Sequence, residues 1–183
     1  MRRLWTLTLV VLLGASSSPG AEPVAGTLEI RYHLAAAVAE DLQPSYQTTI
    51  WLEDTGGRLV RSLQVSEWLA WAGFNEGVVC PTWLAVADWG EDMPEEMFDA
   101  VTRPTPRLGD QALRVDLAPL ALAPGGYRYR VETHVVESYN VLFSGEIELG
   151  KEAASSQAQR RYVPEPYPGG EEILAGVEAH FQP

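Results

Sequence analysis

Tyr127-Arg128-Tyr129-Arg130-Val131-Glu132-Thr133-His134-Val135 alternates without a break. Tyr127, Tyr129, Val131, Thr133 and Val135 fall on one side, and Arg128, Arg130, Glu132 and His134 on the other. A period of two is the signature of a half-buried strand with one apolar and one solvated face. Working outward, Ala123-Pro124-Gly125-Gly126 precedes it as a turn, and before that Leu113, Val115 and Leu117 alternate with Arg114 and Asp116. Downstream, Ser138-Tyr139-Asn140 turns the chain, and Val141, Phe143, Ile147 and Leu149 form an inward face with Ser144, Glu146 and Glu148 outward. The same period governs Leu28 to Leu34. It governs Gln47 to Glu53 and Leu59 to Val65 as well, joined by Asp54-Thr55-Gly56-Gly57, whose glycines accept positive φ. About seven strands separated by turn residues predict an all-β fold, an immunoglobulin-like two-sheet sandwich over residues 26–150.

Two internal stretches depart from that period. Ser66 to Phe74 carries Trp68, Leu69, Trp71 and Phe74 behind a candidate N-cap at Ser66, and predicts a short helix after the third strand. Asp88 to Asp99 is acidic and interrupted by Gly90 and Pro94, and reads as an exposed loop. Residues 151–183 read as a flexible tail. The tail is polar and proline-rich as far as Gly170, and Ile173, Leu174, Val177 and Phe181 predict a short amphipathic helix within 171–181.

Met1-Arg2-Arg3, the apolar run Leu4 to Leu13 and the small residues Gly14 to Ser18 follow the order of a secretory signal peptide, assigned to residues 1–21. The cleavage point falls somewhere between Ala15 and Ala25. The apolar run is about half the ~20 residues that span a bilayer, and no later run reaches that length, so a periplasmic or secreted location without a direct membrane anchor is expected. The 183 residues hold 13 Lys and Arg against 25 Asp and Glu, a formal charge of −12. Without Arg2 and Arg3 the balance is 11 against 25, or −14. Such a field repels phosphate backbones and anionic lipid, which argues against nucleic-acid and membrane-surface partners. Cys80 is the only cysteine, so the fold cannot rest on an internal disulfide, and its neighbours Val78, Val79 and Pro81 predict a buried, inert thiol.

Chemistry has few footholds. The three histidines are His33, His134 and His180, and the chain contains no HExxH, CxxC, GxSxG or phosphate-cradling glycine loop, so an enzyme is not expected. His33 and His134 form a metal site only if the fold brings them together. The acidic stretch offers oxygens that calcium accepts, at a spacing that matches no ligand loop. Among Trp51, Trp68, Trp71, Trp83 and Trp89, an exposed ring would stack on a sugar, a flavin or a peptide aromatic, whereas a buried one fills the core. Trp51, opposite Ile50 and Leu52 in its strand, is predicted to face away from the inter-sheet core.

Tyr46 to Asp54, Gly57 to Leu63, Asp99-Ala100-Val101-Thr102, and Gly126 to Glu132 with Glu137 following, taken in that order and spacing, resemble the periplasmic protein family known as domain of unknown function 2271. The likeness spans about Gly26 to Gly150. It implies an immunoglobulin-like sandwich and a non-catalytic accessory role in an extracytoplasmic flavin-linked redox system, beside a membrane redox protein or a flavin transferase. The run from Asp99 to Thr102 also resembles the start of the motif in which FMN is esterified onto a threonine, which makes Thr105 the acceptor and Asp99 and Thr102 its flanking positions. Arg103 and Pro104 stand where that motif has Gly and Ala, and a proline-stiffened connection between strands explains Thr102 to Pro106 equally well. A second reading needs no redox chemistry: a plain immunoglobulin-like module that binds a protein or a glycan.

Overall fold

The computed structural model describes residues 22–183, and the predicted signal peptide lies outside the described residues. The chain forms a β-sandwich of two sheets with a helical layer on one outer face. In chain order the strands are β1 (Thr27–Leu34), β2 (Thr48–Asp54), β3 (Leu59–Ser66), β4 (Thr102–Arg103), β5 (Gly109–Asp116), β6 (Gly125–Val136), β7 (Tyr139–Leu149), β8 (Ala154–Gln157), β9 (Gln159–Val163) and β10 (Leu174–Gln182). Three short helices, α1 (Glu67–Trp71), α2 (Pro81–Ala87) and α3 (Glu95–Val101), lie between β3 and β4. One sheet has the order β5-β1-β10-β8 and the other β4-β3-β2-β6-β7-β9. Neighbours are antiparallel except β3 and β4.

The alternation read from the sequence builds the space between the sheets. In β1, Leu28, Ile30, Tyr32 and Leu34 are buried while Thr27, Arg31 and His33 are exposed. Ile50, Leu52, Tyr129, Val131, Phe143 and Ile147 meet them from the other sheet. Each such side chain, taken out of water, contributes roughly 1.5–3 kcal/mol before entropic costs. The β2–β3 turn closes as its composition predicts: Asp54 Oδ1 accepts the N–H groups of Gly56 and Arg58 at 3.0 Å each, and Gly57 has φ +84°. At Gly145 an added Cβ would lie 2.4 Å from the Tyr129 ring, so the strand opposite Tyr129 can carry only glycine there.

The C-terminal expectation is corrected. Residues 151–183 are not a flexible tail with a helix: they supply three strands, and β10 lies in the middle of the four-stranded sheet between β1 and β8. The sandwich therefore extends well beyond Gly150. Its disguise is a β-bulge: Arg31 pairs with Glu178 and His33 with Ala175, so two residues of β10, Gly176 and Val177, oppose Tyr32 alone. Gly176 takes φ +59°. The extra residue shifts the alternation by one, and buried Leu174, Val177 and Phe181 acquire the three- and four-residue spacing of a helix face.

Candidate functional site

Much of the outer face of the six-stranded sheet is not solvated, although Glu146 and Glu148 of β7 are exposed. Residues 67–101 fold back over it as a cap and bury Trp51, Val65, Leu69, Val79, Trp83 and Leu142 in a second apolar core. The predicted helix after the third strand is present as α1, with Ser66 at its N-terminal boundary. The Ser66 hydroxyl does not cap the helix; it accepts from Thr48 N–H at 2.8 Å and donates to the Thr48 carbonyl at 3.1 Å. The acidic stretch is only partly a loop, because Glu95 to Val101 form α3, which buries Phe98 and Val101. Trp51 has 0% exposure and serves the second core rather than a ligand.

Polar anchors stitch cap to sheet. The Cys80 N–H donates to Asn140 Oδ1 at 2.9 Å, and Asn140 Nδ2 donates to the carbonyls of Val78 and Ser138 at 3.0 Å each. Glu132 accepts the N–H groups of Thr82 and Trp83 at 3.3 and 3.0 Å. Gln47 Oε1 accepts from Leu69 N–H, and Trp83 Nε1 donates to Ser62 Oγ at 3.0 Å. These bonds answer the cost of burying polar atoms, which is what lets a charged strand face become interior. Cys80 sits in the left-handed region at φ +50°, a conformation a non-glycine residue holds only where its surroundings impose it.

Burial sets the protonation of this layer. Desolvation pushes the Glu132 carboxyl up to about 7, against the lowering effect of Thr82, Trp83 and Arg130. The Cys80 thiol is pushed well above its usual range, first by burial and then by the Glu132 charge, so it is a poor nucleophile. His134 is held below its ordinary value by burial, between Ser45 Oγ at 2.6 Å and the Glu137 carbonyl at 2.9 Å. Farther along the same face, Trp51 Nε1 donates to Glu53 Oε1 at 2.8 Å, and Arg130 Nε lies 3.1 Å from that oxygen in an ion pair that is not aligned as a hydrogen bond.

A continuous run of rings crosses the cap from its outer surface to its core. Trp71 stacks on Phe98 with centroids 4.8 Å apart and planes 13° apart; Phe98 meets Trp89 edge-on at 4.8 Å, and Trp89 meets Trp83 at 5.0 Å. Trp83 is fully buried, whereas Trp71 is 53% exposed. Trp71, Phe74, Met93 and Phe98 line a cleft of about 340 Å³ whose remaining walls are Glu91 and Glu95. Among the described residues neither carboxylate takes part in an ion pair. Trp68, also partly exposed, is seated on Gly73, where an added Cβ would lie 2.2 Å from its ring. A flat ring with a negative face, bordered by unpaired carboxylates, is a surface that attracts cations.

The sequence-derived site residues are neighbours in the chain without forming a pocket. Asp99 is exposed on α3, and Thr102 is half-buried at the start of β4 with its Oγ1 inaccessible and without a hydrogen-bond partner. Thr105, half-buried, accepts a hydrogen bond from Gln47 Nε2 at 3.0 Å. His33 and His134 belong to different sheets: His33 Nδ1 lies 2.7 Å from Asp110 Oδ1, and His134 is interior. Among the described residues no group of three His, Cys, Asp or Glu side chains is placed to hold a metal ion. No described helix is long and apolar enough to cross a membrane. Sequence reading missed the anchors Gln47, Glu132 and Asn140; alternation alone turns Glu132 outward, and the only hint of a cover was the aromatic content of residues 66–101.

No family model, curated protein or solved structure matches the chain.

Proposed function

We propose that this chain is a non-catalytic, immunoglobulin-like interaction module that works outside the cytoplasm and binds a basic segment of a protein partner on its cap. The strand connections support the immunoglobulin-like part. β1, β2, β3, β5, β6 and β7 follow the neighbour pattern of strands B, C, C′, E, F and G, with the C-terminal β10 in the position of strand A. Tyr127, near the start of the F-like strand, donates its hydroxyl to the Ala123 carbonyl at 2.6 Å, as in a tyrosine corner. The binding part rests on one observation: Trp71, half exposed and stacked on Phe98, shares its cleft with Glu91 and Glu95, and neither carboxylate has a basic partner among the described residues. An arginine or lysine from a partner would meet the ring face and the carboxylates together. The net charge of −12 draws such a partner in.

Titration with tetra-arginine amide, followed by tryptophan fluorescence, tests this. Saturable quenching that Trp71→Ser and the double variant Glu91→Gln/Glu95→Gln both abolish is the expected result. A response to maltohexaose and none to the peptide would overturn the basic-partner reading in favour of a glycan.

The flavin-linked redox reading, with a flavin transferase or membrane redox protein as partner, draws support from the resemblance to domain of unknown function 2271 and from the setting of Thr105. Among the described residues no backbone–backbone hydrogen bond ties Pro104 to Leu108, so only side-chain bonds, from Gln47 to Thr105 and from Gln111 to the Arg107 carbonyl, would have to break for that segment to enter another protein's active site. Bulk at Arg103 and the fixed φ of Pro104 count against it. Co-expression with a flavin transferase, followed by intact mass, separates the outcomes: an FMN ester at Thr105 supports this reading, and an unmodified chain removes it.

A further inference from the structure

A second concave surface lies away from the cap cleft. On one side of the sandwich, β5 ends the four-stranded sheet while β3 and β4 end the six-stranded one, and among the described residues no strand bridges the gap. The inward-facing Leu113 and Val115 of β5 are therefore only half-buried. With Leu63, Val101 and Leu120 they floor a cleft of about 260 Å³.

Its rim carries Arg61, Arg103 and Arg114, with Asp116 as the one acidic lining residue. Arg114 shares Glu29 at 3.4 Å, but among the described residues Arg61 and Arg103 have no carboxylate partner. The Arg103 guanidinium donates to the carbonyls of Thr102 and Ala100 at 2.8 and 3.4 Å, which holds it at the end of α3 and leaves donors over. In a chain with 25 acidic and 13 basic residues, a cleft lined by three arginines and one aspartate, two of the arginines without a carboxylate partner among the described residues, stands apart from the prevailing negative charge.

We infer that this cleft binds a small organic anion, a carboxylate or phosphate ester attached to a compact apolar body. The guanidinium forks suit the two oxygens of either headgroup. Leu63, Leu113 and Val115 would take the body, whose size is limited because the cleft is smaller than drug-sized sites usually are. Neither Arg61 nor Arg103 serves the cap cleft, so this site stands or falls independently of the basic-partner reading.

The test is a heteronuclear NMR titration of the protein with phenyl phosphate and sodium benzoate, with phenol and inorganic phosphate as the two half-ligands. The inference expects saturable shifts of the Val101, Leu113 and Val115 amides with at least one of the amphipathic anions, and affinities for phenol and for inorganic phosphate weaker by about tenfold or more. Arg61→Gln/Arg103→Gln should weaken the amphipathic anion by about tenfold or more while the circular dichroism spectrum is unchanged. Added salt should weaken it too. Phenol binding as well as phenyl phosphate, inorganic phosphate binding as well as either, or an unaltered affinity in the double variant would each overturn the inference. So would the absence of binding by every probe, since the arginine stems would then merely cover the apolar edge.

Discussion

The two faces of β6 are built from adjacent residues and buried by different physics. On the inner face Tyr129, Val131 and Val135 enter the inter-sheet core because their apolar surface leaves water. On the outer face Arg130, Glu132 and His134 are largely withdrawn from water, and they tolerate it because Glu53, Thr82, Trp83, Ser45 and Glu137 supply partners. The inner face follows from hydropathy alone. The outer face becomes interior only because its charges find partners: residues 67–101 bring the Thr82 and Trp83 N–H groups to Glu132, while Glu53 serves Arg130 and Ser45 and the Glu137 carbonyl serve His134, and removing one partner leaves another buried and unpaired.

Removing β10 should break the inner core altogether. A chain ending at Gly150 lacks the middle strand of the four-stranded sheet together with Val177 and Phe181, and we expect no cooperative thermal transition by circular dichroism. A single truncation inside that core, Phe181→Ala, should cost about 3–5 kcal/mol in urea unfolding with an unchanged m-value. The outer face should reveal itself through pH. Because the Glu132 carboxyl is raised from 4.5 to about 7, the folded protein retains a proton that the unfolded chain releases, so stability falls as pH climbs through that window. Glu132→Gln mimics the protonated form and should flatten the pH dependence of the urea midpoint between those values, by up to about 3 kcal/mol. The smallest effect belongs to the surface: Trp71→Ser should cost about 1–2 kcal/mol, for its stack on Phe98 and the buried half of its ring, yet abolish binding of tetra-arginine amide.

The same contrast explains what could be read in advance. β1, β2, β3, β5, β6 and β7 announce themselves because each keeps strict alternation or ends in a turn such as Asp54-Thr55-Gly56-Gly57. β10 does not, because the Gly176 bulge breaks its phase and imitates a helix. Of the cap helices α1 is legible in the ring spacing that follows Ser66, whereas α2 and α3 are seven residues long, too short for a 3.6-residue stripe to emerge, and only Pro81 at the first position of α2 is a start signal. Trp51 and Glu132 read as outward residues, and outward they are; what alternation omits is the third layer laid over them. The acids Glu91 and Glu95 were visible as charge, but their shared cleft with Trp71 and Phe98 exists only once α1 and α3 pack together. The arginine cleft is assembled from β3, β4 and β5 and has no local signature.

Cys80 reports on the cap directly, being the only cysteine in the chain and fully buried beneath it. The decisive measurement is its labelling rate by a chromogenic disulfide reagent at mildly alkaline pH, in the native protein and in Asn140→Ala, which frees the Cys80 N–H. A docked cap predicts slow native labelling limited by opening of the cap, accelerated by about tenfold or more in Asn140→Ala with little loss of far-ultraviolet signal. Native labelling as fast as that of the urea-unfolded chain would contradict it, and with it the idea that the outer face of β6 is interior.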